Sequence, residues 1–252
     1  TFLSPISLLS IKSSLKLNTM KTKTALFVLS IVLIFSSCQK EDLGAIVNVR
    51  IELPSFDQIR HDANFDIVLL QGAKQSLEFE GHELILAETD IRVVNRKLIV
   101  SQRGHYWSTG KSTLYIVLPD LSSIETTSSG DIYSQGRFTL NGPLALAIES
   151  SGDIDLDIDL ARLYTTIDGS GDLRLRGYAD NHNIEINGSG NVYAFFLDSY
   201  NVRIDHYGFG NAEIHAQRDL FVRLRSNGHI YFTGRPFLTY SVTGSGRLID
   251  AN

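Results

Sequence analysis

The sequence predicts an all-β fold, a parallel β-helix in which short strands stack coil upon coil. Three observations carry that reading. A five-residue glycine motif returns seven times at a near-constant interval, apolar residues stand in register with it at period two, and opposite charges occupy equivalent places in neighbouring copies.

The motif runs SSGDI at 128, SSGDI at 150, GSGDL at 169, GSGNV at 188, GFGNA at 208, SNGHI at 226 and GSGRL at 244. Its central glycines, Gly130, Gly152, Gly171, Gly190, Gly210, Gly228 and Gly246, are 22, 19, 19, 20, 18 and 18 residues apart. Internal periodicity of this length is the signature of a stacked repeat, each copy being one coil that cannot bury its apolar face alone.

Columns aligned on that glycine show the buried face. Two positions after it stand Ile132, Ile154, Leu173, Val192, Ala212, Ile230 and Leu248; four before it stand Thr126, Ile148, Ile167, Ile186, His206, Leu224 and Val242. Six before it stand Ile124, Leu146, Thr165, Ile184, Ile204, Val222 and Tyr240. Alternating β-branched and aliphatic positions of this kind mark strands with one face in the core. The glycine is expected at a sharp turn requiring positive φ, with the neighbouring serine and Asp or Asn satisfying turn amides.

Outward columns set the register. Three positions after the glycine are Tyr133, Asp155, Arg174, Tyr193, Glu213 and Tyr231; five after it are Gln135, Asp157, Arg176, Phe195, His215 and Thr233. Parallel stacking would set Asp155 against Arg174 and Asp157 against Arg176, pairs worth only about 0.2–1 kcal/mol each.

Residues 46–120 lack the motif but are rich in strand-forming runs: 47–53, 65–70, 77–80, 91–94, 98–101 and 114–118, with one helical turn over 83–88. This part is expected to lead into the repeats of 121–252 and to cover their first coil, because a bare β-edge invites aggregation.

The N-terminus reads as targeting sequence and is set aside from the fold. Residues 1–19 precede Met20 and are expected to be upstream sequence absent from the cellular protein. Residues 20–37 have the order of a signal peptide: Lys21 and Lys23, an apolar run of 11 residues from Ala25 to Phe35, then Ser36 and Ser37. The run is too short for a spanning helix, which needs about 20 residues. Cys38 is the single cysteine, so no internal disulfide can form. The segment Phe35-Ser36-Ser37-Cys38 resembles a bacterial lipobox, which implies cleavage before Cys38 and its acylation. Residues 38–45 would then be the acylated cysteine and a linker. Within it, Gln39-Lys40-Glu41-Asp42 is similar to the acidic export signal of Bacteroidota lipoproteins. That likeness points to an outer-membrane lipoprotein at the cell surface, a periplasm-facing one being the alternative.

Five stretches, FDQIRHDANFDIVLLQG (56–72), LEFEG (77–81), RKLIVS (96–101), LYIVLPDLSSIETTSSGDI (114–132) and the GSGD or GSGN repeats that follow, together resemble the head GIN domain family. Its members carry an autotransporter-adhesin label and are found mainly as lipoproteins of Bacteroidota. The resemblance implies a right-handed parallel β-helix and a cell-envelope role, and it offers no catalytic residues to transfer. It weakens at Phe209 and at Asn227-Gly228-His229, coils in which this chain departs from the repeat.

A net charge of −5 gives no electrostatic footprint for nucleic acid. The seven histidines are scattered without metal-ligand spacing, and His206, on an inward column, reads as a hydrogen-bonded core residue. The G-S-G-D turns resemble those of calcium-binding β-rolls, where Asp131, Asp153 and Asp172 would stack one coil apart. The period differs from the nine residues of a β-roll and the column continues as Asn191, Asn211, His229 and Arg247, which suits turn satisfaction better. No metal or cofactor is expected.

Ligand candidates are aromatic. They are Tyr106 and Trp107 in the loop 103–111, the column of Tyr133, Tyr193 and Tyr231, and Tyr207 with Phe209 in the irregular coils. Trp107 could equally cap the solenoid. The preferred reading is a noncatalytic binding or adhesion module, anchored in the membrane by its lipid and presenting a rigid surface to glycan or protein. A purely structural envelope scaffold and a polysaccharide-active enzyme are the alternatives, and fold alone does not choose among them.

Overall fold

The computed structural model describes residues 43–103 and 110–252. The expected signal peptide, Cys38, Tyr106 and Trp107 lie outside the described residues.

Three elements open the chain. β1 (Ile46–Ile51) is followed by β2 (Gln58–Asp62) and β3 (Asp66–Gln71), which form one coil. β4 (Ser76–His82) leads to a short helix α1 (Glu83–Ala87), started by an acidic residue and seated on buried Ile85. β5 (Thr89–Val94) and β6 (Lys97–Gln102) make a hairpin whose two turn residues, Asn95 and Arg96, both have positive φ (50° and 64°). That is the primed turn geometry two-residue hairpins require. β7 (Thr113–Leu118), β8 (Ser123–Thr126) and β9 (Ile132–Thr139) follow.

From there the repeats dominate: β10 (Leu144–Ile148), β11 (Ile154–Ile167), β12 (Leu173–Ile186), β13 (Val192–His206), β14 (Ala212–Leu224), β15 (Ile230–Thr233), β16 (Phe237–Val242) and β17 (Leu248–Asp250). Each long strand is two runs joined at a corner. In β11, Ile154 to Leu160 alternate inward, Ala161 and Arg162 both face out, and Leu163, Thr165 and Ile167 resume the alternation. The coils therefore have two faces. The first holds residues 154–160 and their equivalents; the second holds 163–167 and theirs, and the glycine motif closes the corner between one coil and the next.

The parallel register is that expected from the repeat: Ile154, Leu173, Val192, Ala212, Ile230 and Leu248 stand in one line. Asp155 lies opposite Arg174 and Asp157 opposite Arg176. The ion pairs, however, run diagonally, Arg176 reaching Asp155 at 2.6 Å and Arg174 reaching Asp153 at 2.7 Å. Bulges also shift the second outward column, so that Arg137 rather than Gln135 faces Asp157 and Phe196 rather than Phe195 faces Arg176.

The N-terminal part covers the first repeat coil with two coils of its own, stacked out of sequence order. β2–β3 lies between β6–β7 on one side and β8–β9 on the other, all in parallel. Beyond β6–β7 the sheet turns antiparallel, β5 pairing with β6 and β4 with β7 and β1. The sheet runs without a break through residue 120, and residues 43–252 form one compact unit. Phe65, Phe79 and Phe138 are the largest fully buried side chains, and the rings of Phe65 and Phe79 meet edge to face at 5.5 Å.

The motif glycines are explained by space rather than by turn conformation. Positive φ occurs at other glycines, Gly136, Gly177, Gly234 and Gly244 among them, and not at Gly171 or Gly190. A Cβ at Gly171 or Gly190 would instead overlap the carbonyl oxygen of the equivalent glycine one coil earlier, Gly152 or Gly171.

Candidate functional site

Side chains at the glycine corner tie coil to coil. The Oδ1 of Asp131 accepts the backbone N–H of Asp153 (2.8 Å), Asp153 that of Asp172 (2.8 Å), Asp172 that of Asn191 (2.9 Å) and Asn191 that of Asn211 (2.9 Å). Asn211 then accepts from His229 (2.8 Å), and His229 Nδ1 from Arg247 (3.1 Å). The position demands an acceptor, not a charge, which is why Asp, Asn and His alternate there. Between Asp153 and Asp172 sits the Arg174 guanidinium, 2.7 and 3.3 Å from their oxygens, in the place a cation would take. Asp131, farther from this arginine, has its pKa raised by burial and by the neighbouring carboxylates of Asp66 and Asp153. Among the described residues no group of three acidic, His or Cys side chains could hold a metal. Asp172→Leu should cost about 1–3 kcal/mol by leaving the Asn191 N–H without its acceptor. Asp172→Asn should cost far less, with or without calcium. Urea midpoints check both, and equal losses for the two variants would mean that the charge is what matters.

The sequence-predicted aromatics do not converge. Tyr133, Tyr193 and Tyr231 share one outward column on the first face, but Asp155 and Arg174 separate the first two and Glu213 the last two. Arg174 lies over the Tyr193 ring at 5.2 Å, so that ring is already engaged. Tyr207 and Phe209 sit at the glycine corner, Phe209 being 72% exposed.

The built concavity is on the second face. Two adjacent outward columns line it: Arg162, Asn181, Asn201, Asp219 and Phe237, and beside them Tyr164, Asn183, Arg203, Phe221 and Thr239. Together they form an open groove of about 710 Å³ crossing five successive coils. Tyr164 and Phe237 present exposed rings, at 44% and 81%. Phe221 is held by two guanidinium groups, Arg203 at 4.4 Å and Arg223 at 5.0 Å, both paired with Asp205. Arg218 pairs with Asp219 at 2.7 Å and stacks on Tyr200 at 4.7 Å. Arg162 has no such partner among the described residues. Asn201 donates to Asn181 at 3.0 Å, while its own Oδ1 is buried without a partner.

This groove escaped the sequence reading, although its signal was present. Its columns stand nine and seven positions before each glycine from Gly171 to Gly246, on the odd, outward positions that precede the inward ones already aligned.

Comparison with known proteins bears on the fold and the family. A family described as "Putative auto-transporter adhesin, head GIN domain" matches residues 55–236. No curated protein matches the chain. Among solved structures, one described as a putative adhesin from Bacteroides fragilis is similar with a TM-score of 0.78 at 22% identity, over 81% of this chain and 96% of that one. A protein from Parabacteroides distasonis described as a putative lipid binding protein gives a TM-score of 0.66 at 17% identity, over 82% and 98%. A further one from that organism, described as a putative adhesin, gives 0.63 at 19%, over 81% and 96%. These likenesses share the fold of this chain.

Proposed function

The chain belongs to the head GIN domain family, and from that premise we propose that it is a noncatalytic adhesion module that binds an extended glycan in the groove of its second face. It is held at the cell envelope through acylated Cys38, facing outward. The observation that carries the reading is the pair of registered columns. Exposed rings stand at the groove's two ends, Tyr164 in the first coil and Phe237 in the fifth, with the amides of Asn181, Asn183 and Asn201 between them along the stacking axis. Aromatic faces suit the apolar faces of pyranose rings, and amides suit their hydroxyls. The coil step of about 4.8 Å is close to the length of one sugar residue, so successive coils can meet successive sugars. Unpaired Arg162 adds a site for a carboxylate or sulfate substituent.

The groove is poorly equipped for hydrolysis. Glycoside cleavage uses two carboxylates flanking the bond, whereas the carboxylate lining this groove, Asp219, is held by Arg218. Polar side chains between the rings also favour a hydroxylated chain over an acyl chain.

A glycan array probed with the full chain tests this. Tyr164→Ala and Arg162→Ala should each weaken binding by about tenfold or more, a loss of roughly 1.4 kcal/mol. Tyr193→Ala, on the other face, should leave it unchanged. Loss of binding in Tyr193→Ala alone would move the site to the first face, and turnover of a bound glycan would replace adhesion by catalysis. Cys38→Ser should release the protein from the membrane fraction; continued membrane attachment would refute the lipid anchor.

A further inference from the structure

The two ends of the solenoid are finished differently. At the N-terminal end the outermost parallel coil, β6–β7, has its second edges covered antiparallel by β5 and β4, with β1 beyond. At the C-terminal end β16 pairs only with β14, and β17 only with β15, among the described residues. The inward column is consequently bare: Leu238, Tyr240 and Val242 are 39%, 62% and 37% exposed, where their counterparts one coil earlier, Leu220, Val222 and Leu224, are at most 1% exposed.

Natural edge strands are commonly blunted by charge, proline or a bulge. β16 carries none of these within it, and the stretch from Phe237 to Gly246 has no charged residue. Its equivalents do carry charge: Glu125 in β8, Glu185 in β12, Arg203 and Asp205 in β13, and Arg223 in β14. β10, also uncharged, is paired on both edges, by β8 and β11. The uncharged strand with a free edge is thus the terminal one.

We propose that this end is an interface with a second copy of the chain, formed by β16 meeting its symmetry mate edge to edge. A twofold axis makes the two β16 strands antiparallel, which satisfies both free edges, and brings the two Leu238–Tyr240–Val242 rows together as one continued core. In such a pair every β16 residue faces another residue of the same strand, and because β16 carries no charge no like-charge pair arises in any register. A twofold contact uses the same end of both copies, so association closes at two instead of continuing as a filament. This proposal is independent of the glycan reading, although pairing would bring the two grooves end to end through Phe237 and Thr239.

Sedimentation equilibrium of the full chain in detergent is the test, with a mass of two copies expected. Ser241→Lys, whose side chain points outward and leaves the core intact, should weaken association at least about a hundredfold by setting like charges across the axis. Leu238→Lys should do the same from the inward row. Unfolding midpoints at a concentration where wild type is dissociated separate this from misfolding. Glycan binding by the dissociated Ser241→Lys protein should persist, which keeps the two proposals distinguishable. A single-copy mass for the wild type at every concentration overturns the pairing. A single-copy mass with Tyr240 shielded from nitration only when detergent is present assigns the end to an amphiphile instead and also overturns it.

Discussion

Gly190→Ala is expected to cost at least about 3 kcal/mol of folding stability, a large effect for one added methyl group. The cause is a collision between coils. The new Cβ would overlap the Gly171 carbonyl oxygen, with the Gly171 carbonyl carbon and Ile167 Cγ2 each 3.0 Å away. A backbone oxygen locked in a sheet cannot swing aside as a side-chain end can, so the coils must part at that corner against strand spacing fixed by hydrogen bonds. Alanine elsewhere is often neutral or mildly stabilising because it restricts the unfolded chain. Gly142, around which a Cβ would meet nothing within 4 Å, is the natural control. Its alanine variant should stay within about 0.5 kcal/mol of wild type. Urea midpoints measure both. Similar losses at the two positions would mean that the corner tolerates a methyl group and that the glycines recur for some other cause.

Acid should destabilise the fold well above the usual carboxylate range. Three histidines fill inward positions. His182 is buried beside the Thr165 hydroxyl (3.0 Å), and burial lowers its pKa to about 3. His61 is lowered by burial to about 4, with the carbonyls of Phe65 and Gly130 pulling the other way. His206, between Ser226 and the Gly210 carbonyl, is lowered by burial too. In the unfolded chain these rings take up protons near pH 6.5, while His182 and His61 in the folded chain stay neutral until about pH 3 and 4. Between those limits the unfolded state holds more protons, so stability falls as pH falls. At 1.36 kcal/mol per unit, His182 and His61 should each remove roughly 2 kcal/mol between pH 7 and pH 5. Urea titrations at the two pH values should show that decline, with His182→Leu reducing it by about 2 kcal/mol. An unchanged slope in that variant would show that His182 is solvated or protonated in the folded protein.

Periodicity made the repeat half readable, because every coil buries the same positions and the glycine fixes their phase. It misled where the backbone breaks phase. Gly136, with φ +92°, lies between the positions that face Asp155 and Asp157, and Arg137 replaces Gln135 in the column. β2 was missed because its alternation is carried by Ile59 and His61, and a histidine does not announce an inward position. The groove was overlooked for a different cause: Tyr164, Asn183 and Arg203 look like ordinary solvent-facing residues until the coils are stacked. Nor does any local pattern state that β2–β3 is sandwiched between β6–β7 and β8–β9, since that placement depends on sheet edges far apart in the chain.

That sandwiched coil imposes an order of assembly on a polypeptide made N-terminus first. β2 and β3 are made early, yet each keeps one edge open until β6–β7 arrives and the other until β8 has formed against β2 and β9 against β3. The opening portion must therefore wait, exposed to chaperones and proteases, and then close as a block over a long sequence separation. From β10 onward each incoming coil finds a finished template beside it and can be laid down as it appears. The protein is thus hard to begin and easy to extend, so evolution can add or delete coils near its C-terminal end at little risk while its first hundred residues remain indivisible.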